Sequence, residues 1–151
     1  MARLRTGIFL GLALIAGACR ESVAQSAWQP APGHTQIPLW PSGAPGGNRT
    51  TGPEAVHFAV DPQGNKRLVG GKPRSYIENV TTPTMTLYAP KGTNSGAAIL
   101  VFPGGGYNVL AIDIEGTEAC DWVTANGMTC VLLKYRVPCA HVGRWRDCPP
   151  G

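Results

Sequence analysis

The pattern of apolar and polar positions is clearest in the second half of the chain, where it predicts a strand, a helix and a second strand. Residues 97–102 (AAILVF) form a continuous apolar run, which is typical of a strand covered on both faces. Residues 129–135 (TCVLLKY) form a second apolar strand. About residues 116–126 lie between them with helical spacing, and Gly127 is suited to end that helix in a left-handed conformation. We therefore predict a parallel, right-handed βαβ unit.

The predicted helix carries a mostly apolar stripe. Ala119, Trp122, Val123 and Asn126 follow one another at the spacing i, i+3, i+4 and i+7, so they share one face. We expect this face to pack against the sheet, because a surface helix buries its apolar stripe.

The first half of the chain has a weaker pattern. Residues 84–88 (TMTLY) alternate polar and apolar positions, which predicts a half-buried strand. Residues 25–54 contain many prolines and glycines and predict an extended, irregular segment. Residues 55–75 are compatible with an edge hairpin, with turn-forming residues at positions 61–65 (DPQGN).

The N terminus predicts an export signal over residues 1–24. Arg3 and Arg5 precede an apolar core at residues 8–18, which is too short to span a bilayer, and small residues place the cleavage site near Ala24. A lipoprotein signal that ends at Cys19 is the alternative. Because no other long apolar segment follows, we expect no transmembrane helix and a periplasmic or extracellular location.

Composition narrows the classes of function. The chain has 151 residues, of which 43% are apolar, and a net charge of +4. These values fit one globular domain better than a large multidomain protein or a disordered one. The 13 lysines and arginines form no basic stripe, so we do not expect the chain to bind nucleic acid.

The cysteines and histidines give no pattern typical of a metal site. Neither a CxxC nor an HxxxH spacing occurs, and the histidines are dispersed, so no metal site is predicted. The cysteines that follow the predicted leader allow three disulfide pairings, and free buried thiols are an equal alternative. These cysteines are Cys120, Cys130, Cys139 and Cys148.

The most informative motif is the run PGGGY at residues 103–107, directly after the first predicted strand. Three consecutive glycines cost backbone entropy, so they fit a place where the backbone approaches a ligand closely or takes a positive φ. Their N–H groups could form an oxyanion hole, which stabilises negative charge that develops on an oxygen. A phosphate cradle and a plain tight turn are the alternatives, although neither the GxGxxG nor the P-loop pattern is present.

Three stretches of sequence give the chain a resemblance to a known family. They are residues 37–46 (IPLWPSGAPG), residues 83–90 (PTMTLYAP), and the run from Ala98 to Arg136 that contains PGGGY, IDIEG and LKYR. In these stretches the chain resembles the exported esterase/lipase branch of the α/β-hydrolase superfamily, and within it the acetyl-xylan-esterase-like hydrolases. The resemblance implies an α/β fold, here a partial α/β-hydrolase sheet in which the βαβ unit is joined by mixed N-terminal strands.

The resemblance also implies roles for individual residues. Gly105 and Gly106 would supply oxyanion N–H groups. Tyr107 would line the acyl pocket or shape the loop, with capping of the core as an alternative. Glu115 would hold the loop or the start of the helix, and a solvated acid at a helix N terminus explains it equally well. The reaction implied is acyl transfer by a serine nucleophile with His–Asp, which needs no cofactor and no metal.

The chain departs from the family pattern at the nucleophile. A G-x-S-x-G elbow is required, and none of the serines, at positions 22, 26, 42, 75 and 95, lies in that frame. His141 comes too early to be the triad histidine. We therefore expect a sheet truncated before the elbow, with an open edge, weak stability and a tendency to aggregate. The expected organisation is a signal peptide (1–24), an extended Pro/Gly-rich segment (25–75), the N-terminal part of the hydrolase domain (76–138) and an aberrant tail (139–151).

Two functions from different classes follow. The first is a truncated exported carboxylic-ester hydrolase, inactive by itself, whose intact relative would deacetylate an acylated small molecule or a polysaccharide such as acetyl-xylan. The second is a non-catalytic exported protein, either carbohydrate-binding or part of the cell envelope. The aromatic residues that would stack on sugar rings in the second are Trp28, Trp40, Tyr76 and Trp145.

Overall fold

The computed structural model describes residues 27–45 and 52–137. The predicted signal peptide at residues 1–24 and the tail at residues 139–151 lie outside these described residues. So do several residues that the sequence analysis singled out, namely Cys19, Cys139, His141, Trp145 and Cys148.

The described residues form short strands and one α-helix. The strands are β1 (Gln36–Pro38), β2 (Ala55–Phe58), β3 (Leu68–Val69), β4 (Lys72–Pro73), β5 (Ser75–Glu78), β6 (Thr84–Tyr88), β7 (Ala98–Val101) and β8 (Thr129–Lys134). A π-helical turn (Asp113–Thr117) leads directly into α1 (Glu118–Ala125). In that turn the Thr117 N–H donates to the Ile112 carbonyl at 2.9 Å, five residues back.

Four of the strands form one mixed sheet in the order β1-β6-β8-β7. β7 and β8 are parallel and α1 connects them, which confirms the predicted βαβ unit. β6 pairs antiparallel with both β8 and β1, so the predicted strand at residues 84–88 is confirmed as well. A mixed sheet with few helices is compatible with a partial α/β fold.

The prediction that β7 is covered on both faces is wrong. Ala98, Ile99 and Leu100 are exposed, and 53% of Leu100 is open to solvent. Within the described residues β7 is the last strand of the sheet and pairs with β8 alone. An apolar run therefore forms the open edge of this sheet.

The prediction of which face of α1 is buried is also wrong in part. Val123 is buried as expected, but Trp122 is 64% exposed, and Asn126 is exposed. The buried face instead carries Cys120, Val123 and Thr124. The predicted and the observed faces share Val123, and a covalent bond at Cys120 fixes the side that faces the sheet.

That bond is a disulfide between Cys120 of α1 and Cys130 of β8, whose Cα atoms are 5.3 Å apart. Both cysteines are fully buried. The sequence left the cysteine pairing open, and this bond assigns one pair. It also links the helix to β8, a central strand of the sheet. Gly127 ends the helix at a φ of +73°, as predicted, and a Cβ atom there would overlap the carbonyl oxygen of Thr93.

The segment between β1 and β6 is more ordered than its sequence pattern predicts. β2 and β5 form an antiparallel pair, and β3 and β4 form a hairpin whose turn residues, Gly70 and Gly71, both have positive φ. At the predicted turn, the Asp61 carboxylate accepts the N–H groups of Gln63 and Asn65, at 2.9 and 2.8 Å.

Two contacts attach this segment to the main sheet. Ile77 of β5 and Leu110 exchange backbone hydrogen bonds of 2.9 and 2.8 Å, and both side chains are fully buried in the core. The Lys134 ammonium, at the end of β8, donates to both carboxylate oxygens of Glu54 at 2.6 and 2.8 Å in a buried ion pair. The end of β8 is thus fixed by β6, β7 and the residues before β2.

No helix in the described part of the chain is long and apolar enough to cross a membrane.

Candidate active site

The glycine-rich loop follows β7 at its carboxyl end and has an unusual backbone conformation. The φ angles are +142° at Gly105, +61° at Gly106 and +61° at Tyr107. Positive φ is costly for a residue with a side chain, so Tyr107 is held in place by its surroundings. Such local strain is common at binding and catalytic sites.

Close contacts limit substitution at two of the glycines, with backbone at Gly105 and with the end of a flexible side chain at Gly104. A Cβ atom on Gly105 would overlap the carbonyl oxygen of Val109, and one on Gly104 would overlap the carboxylate of Glu115. At Gly106 the nearest atom to such a Cβ would be the Asn108 side-chain nitrogen, 3.9 Å away. Gly106 is therefore required only by its φ, and the space beside it is open.

Two side chains hold the start of the loop. The Tyr135 hydroxyl donates to the Pro103 carbonyl oxygen at 2.6 Å, and the Glu115 carboxylate accepts the Gly104 N–H at 2.8 Å. Pro103 O and Gly104 N belong to the same peptide group. Both polar atoms of that group are therefore fixed, one from the end of β8 and the other from the π-helical turn.

The carbonyl groups of the loop also have partners. The Gly105 carbonyl accepts the N–H groups of Asn108 and Val109 at 3.1 and 3.3 Å, and the Gly104 carbonyl accepts the Ala111 N–H at 2.9 Å. By contrast, the N–H groups of Gly105, Gly106 and Tyr107 meet no acceptor among the described residues. The loop therefore folds around its own carbonyl oxygens and leaves consecutive donors available.

A second tether holds the far end of the loop. The Asp113 carboxylate accepts both the N–H and the hydroxyl of Ser75, the latter at 2.9 Å. Asp113 is in the same π-helical turn as Glu115, and Ser75 begins β5. The turn thus binds the loop with one carboxylate and the neighbouring sheet with the other.

Aromatic rings surround the loop. Tyr107 is 63% exposed and approaches Tyr135 edge-on, with the ring centroids 6.1 Å apart, and Phe102 lies 6.3 Å from Tyr135 on another side. Because Tyr107 is exposed, it does not cap the core. It is an exposed ring on the same loop as the available N–H groups.

The electrostatic environment keeps Tyr135 protonated. Burial raises the pKa of the Tyr135 phenol above its usual 10.0, and the neighbouring Tyr107 and Glu115 add to the effect. Tyr135 is therefore a hydrogen-bond donor to Pro103 throughout the neutral range. The proposed holding role of Glu115 agrees with its contact to Gly104, whereas nothing in the sequence pattern assigned a role to Tyr135 or Asp113.

The aromatic residues that would stack on sugar rings in a carbohydrate-binding protein differ from one another in exposure and packing. Trp28 packs against the core, and Tyr76 stacks on His57 with ring centroids 5.5 Å apart. Trp40 is 44% exposed. Trp145 lies outside the described residues.

Comparison with known proteins gives one relative. An acetylxylan esterase of Xylanibacter ruminicola is 39% identical over 54 residues, which are 36% of this chain and 11% of that protein. The match thus spans about a tenth of the length of the relative and supports an esterase-like relationship. No protein-family model matches the chain, and no solved structure matches it.

Proposed function

We propose that this chain is the oxyanion-loop portion of an exported serine carboxylic-ester hydrolase, in which Gly105 and Gly106 donate the N–H groups that bind the developing oxyanion. The observation that carries the proposal is the available pair of N–H groups on a loop held by Tyr135 and Glu115. Preorganised donors stabilise a tetrahedral intermediate because they need no rearrangement when negative charge develops.

The position of the loop in the fold supports this role. In α/β-hydrolases one oxyanion N–H comes from the loop between the third strand and the first helix. In chain order β7 is the third strand of the four-stranded sheet, and the loop that follows it leads to α1. The loop thus corresponds in order to the oxyanion loop of that superfamily.

The proposed substrate is an acyl ester, with acetyl groups on a polysaccharide such as acetyl-xylan as the preferred class. The partial likeness to a protein named acetylxylan esterase supports this choice. A serine would attack the acyl carbonyl while a histidine takes its proton, and the tetrahedral intermediate would then expel the sugar hydroxyl, which receives that proton. Water, deprotonated by the same histidine, would release the acyl group from the serine as the carboxylic acid and return the proton to the serine. Tyr107, exposed on the same loop, would line the acyl pocket.

The nucleophile and its partners are assigned to sequence outside these 151 residues, since the chain contains no G-x-S-x-G frame. The domain organisation predicted from the sequence, with a truncated hydrolase domain at residues 76–138, is part of this proposal. Export is part of it too, and the disulfide between Cys120 and Cys130 supports an oxidising compartment.

The test is to read the gene downstream of the Arg136 codon in all three frames and to express the extended chain. We expect a G-x-S-x-G elbow and hydrolysis of p-nitrophenyl acetate. Gly105→Pro removes one oxyanion N–H and should lower kcat by about 10²–10³-fold. Gly71→Pro is the matched control, because Gly71 also has positive φ but lies in the remote β3–β4 hairpin.

Two results would contradict the proposal. One is a stop codon with no elbow in any frame. The other is ester hydrolysis that Gly105→Pro leaves unchanged.

The alternative, a non-catalytic carbohydrate-binding protein that uses a surface of stacking aromatic rings, has less support. Of its candidates among the described residues, Trp28 and Tyr76 are engaged in packing, which leaves Trp40 as the exposed ring. Retention on xylan beads that Trp40→Ala abolishes would favour this alternative.

A further inference from the structure

A concave site lies near the end of the sheet opposite the glycine-rich loop. β7 and β8 are parallel, so Pro103 and Lys134 mark their carboxyl ends, while Tyr88 pairs with Cys130 near the amino end of β8. A cleft of about 340 Å³ opens beside Tyr88, between the segment before β1, the residues after β6 and α1. Its size is near the lower end of the roughly 300–1,000 Å³ typical of small-molecule sites, so it suits one ring rather than a chain.

The walls of the cleft combine apolar and polar groups. His34 lies against Tyr88 with ring centroids 4.3 Å apart, and its Nδ1 is 3.2 Å from the Leu87 carbonyl oxygen. The rings and two alanine methyl groups give one side an apolar surface. The polar groups that line the cleft belong to Lys91, Thr117, Asp121 and Thr124.

The charges in the cleft balance. The Lys91 ammonium lies 3.1 Å from the Asp121 carboxylate, and both side chains are largely exposed. A site with one positive and one negative group has no net attraction for a charged ligand. It offers instead a strong donor and a strong acceptor side by side, which one ligand with hydroxyl groups can satisfy together.

The remaining polar groups also match hydroxyl groups. The Thr117 and Thr124 hydroxyls donate to the Asp113 and Asp121 carbonyls at 3.4 and 3.2 Å, which leaves their oxygen atoms as acceptors. The Tyr88 hydroxyl is buried and meets no hydrogen-bond partner among the described residues. A buried polar group without a partner costs free energy, and a bound ligand would relieve that cost.

We infer that this cleft binds one neutral, polyhydroxylated ring, such as a single sugar unit, with Lys91 and Asp121 hydrogen-bonded to its hydroxyl groups and Tyr88 against its body. The inference depends on residues separate from the oxyanion loop. It can therefore be tested independently of the proposed esterase function.

The test is a titration of the ¹⁵N-labelled chain with methyl β-xyloside, followed through the amide signals. We expect the signals of Lys91, Asp121 and Thr124 to shift saturably, while those of Gly105 and Gly106 stay in place. Asp121→Asn should weaken binding about tenfold, because it removes a hydrogen bond to a charged group. Tyr88→Phe should also weaken binding without lowering the stability of the fold.

Glu118→Gln is the matched control. Glu118 is on the same helix and forms an exposed ion pair with Lys72 at 3.4 Å, but it does not line the cleft. This variant should bind the xyloside like the parent. Circular dichroism of each variant establishes that the fold is intact before binding is compared.

Three results would overturn the inference. They are the absence of a saturable shift at the cleft, equal binding by the parent and Asp121→Asn, and tighter binding of glucuronate or inorganic phosphate than of the xyloside. Movement of the Gly105 and Gly106 signals instead would place the sugar at the oxyanion loop and would likewise contradict it.

Discussion

Tyr135 and Glu115 hold the two sides of a single peptide group, that between Pro103 and Gly104. Tyr135 donates to its carbonyl oxygen, and Glu115 accepts its N–H. The Gly105 and Gly106 N–H groups belong to the next two peptide groups, whose carbonyl oxygens accept from Ala111 and from Asn108 and Val109. Successive peptide groups of the loop are therefore held before any ligand arrives. Donors held in advance in this way are what the proposed oxyanion role of the loop requires.

The contribution of Tyr135 should depend on pH in a defined direction. Its phenol pKa is raised above 10.0 in the folded chain, so the protonated form is favoured by folding. The stabilisation is present below pH 10 and is lost as the pH rises through the raised pKa. Tyr135→Phe should lower the free energy of unfolding by about 1 kcal/mol at neutral pH, since it removes one hydrogen bond.

Urea unfolding of the parent and of Tyr135→Phe at several pH values checks this prediction. The difference between the two proteins should be constant at neutral pH and should shrink above pH 10. A difference that grows at alkaline pH would contradict the assigned hydrogen bond.

The two glycines of the loop should respond differently to alanine. Gly106→Ala should cost about 1–2 kcal/mol, because only its positive φ is unfavourable. Gly105→Ala should cost about 2 kcal/mol more, because the new methyl group overlaps the Val109 carbonyl. Urea unfolding of both variants measures the difference, and equal losses would show that the Gly105–Val109 contact is absent in solution.

The disulfide should stabilise the folded chain, and replacing both of its cysteines should remove that stabilisation. The double variant Cys120→Ala, Cys130→Ala should lose about 2–4 kcal/mol. Dithiothreitol should lower the Tm of the parent and leave that of the double variant unchanged. Peptide mapping under non-reducing conditions should recover Cys120 linked to Cys130, and a different linkage would contradict the assignment.

The exposed edge at β7 should cause self-association. Apolar side chains along an unpaired strand are a template for another chain, and Leu100 is among the most exposed of them. Leu100→Lys should therefore reduce association, as measured by sedimentation velocity at increasing concentration.

Leu68→Lys is the control for this prediction. Leu68 is also exposed, but it lies in the β3–β4 hairpin, so the variant adds the same charge away from the edge. Equal improvement by both variants would show that net charge, and not the β7 edge, governs association.

The sequence predicted the elements better than their surroundings. The two apolar strands and the helix between them were predicted because local periodicity reports secondary structure directly. The apolar run alone predicted that β7 is covered on both faces, because it reveals hydrophobicity but not which strand lies at the edge. An open edge was expected from the missing nucleophile elbow, but it was not assigned to β7. The exposure of Trp122 was missed because two stripes of α1 share Val123, and the one that contains the disulfide-bonded Cys120 faces the sheet.

For the candidate site, the sequence predicted the loop but not the distant side chains that hold it. Consecutive glycines indicated the loop at once, since few other roles justify their entropic cost. The hydroxyl of Tyr135 reaches Pro103 across 32 residues of sequence, and Asp113 reaches Ser75 across 38. Contacts of that range follow from the topology of the sheet, and no local pattern encodes them.

The most direct test of the central claim is an acetate titration of the ¹⁵N-labelled chain, with acetate as the carboxylate that an acetyl esterase would release. We predict that the amide signals of Gly105 and Gly106 shift together and saturate with one shared dissociation constant. The Gly104 amide, already bound to Glu115, is the internal control and should move little. Equal shifts at all three glycines, or no saturable shift at Gly105 and Gly106, would contradict the assignment of these N–H groups as the oxyanion donors.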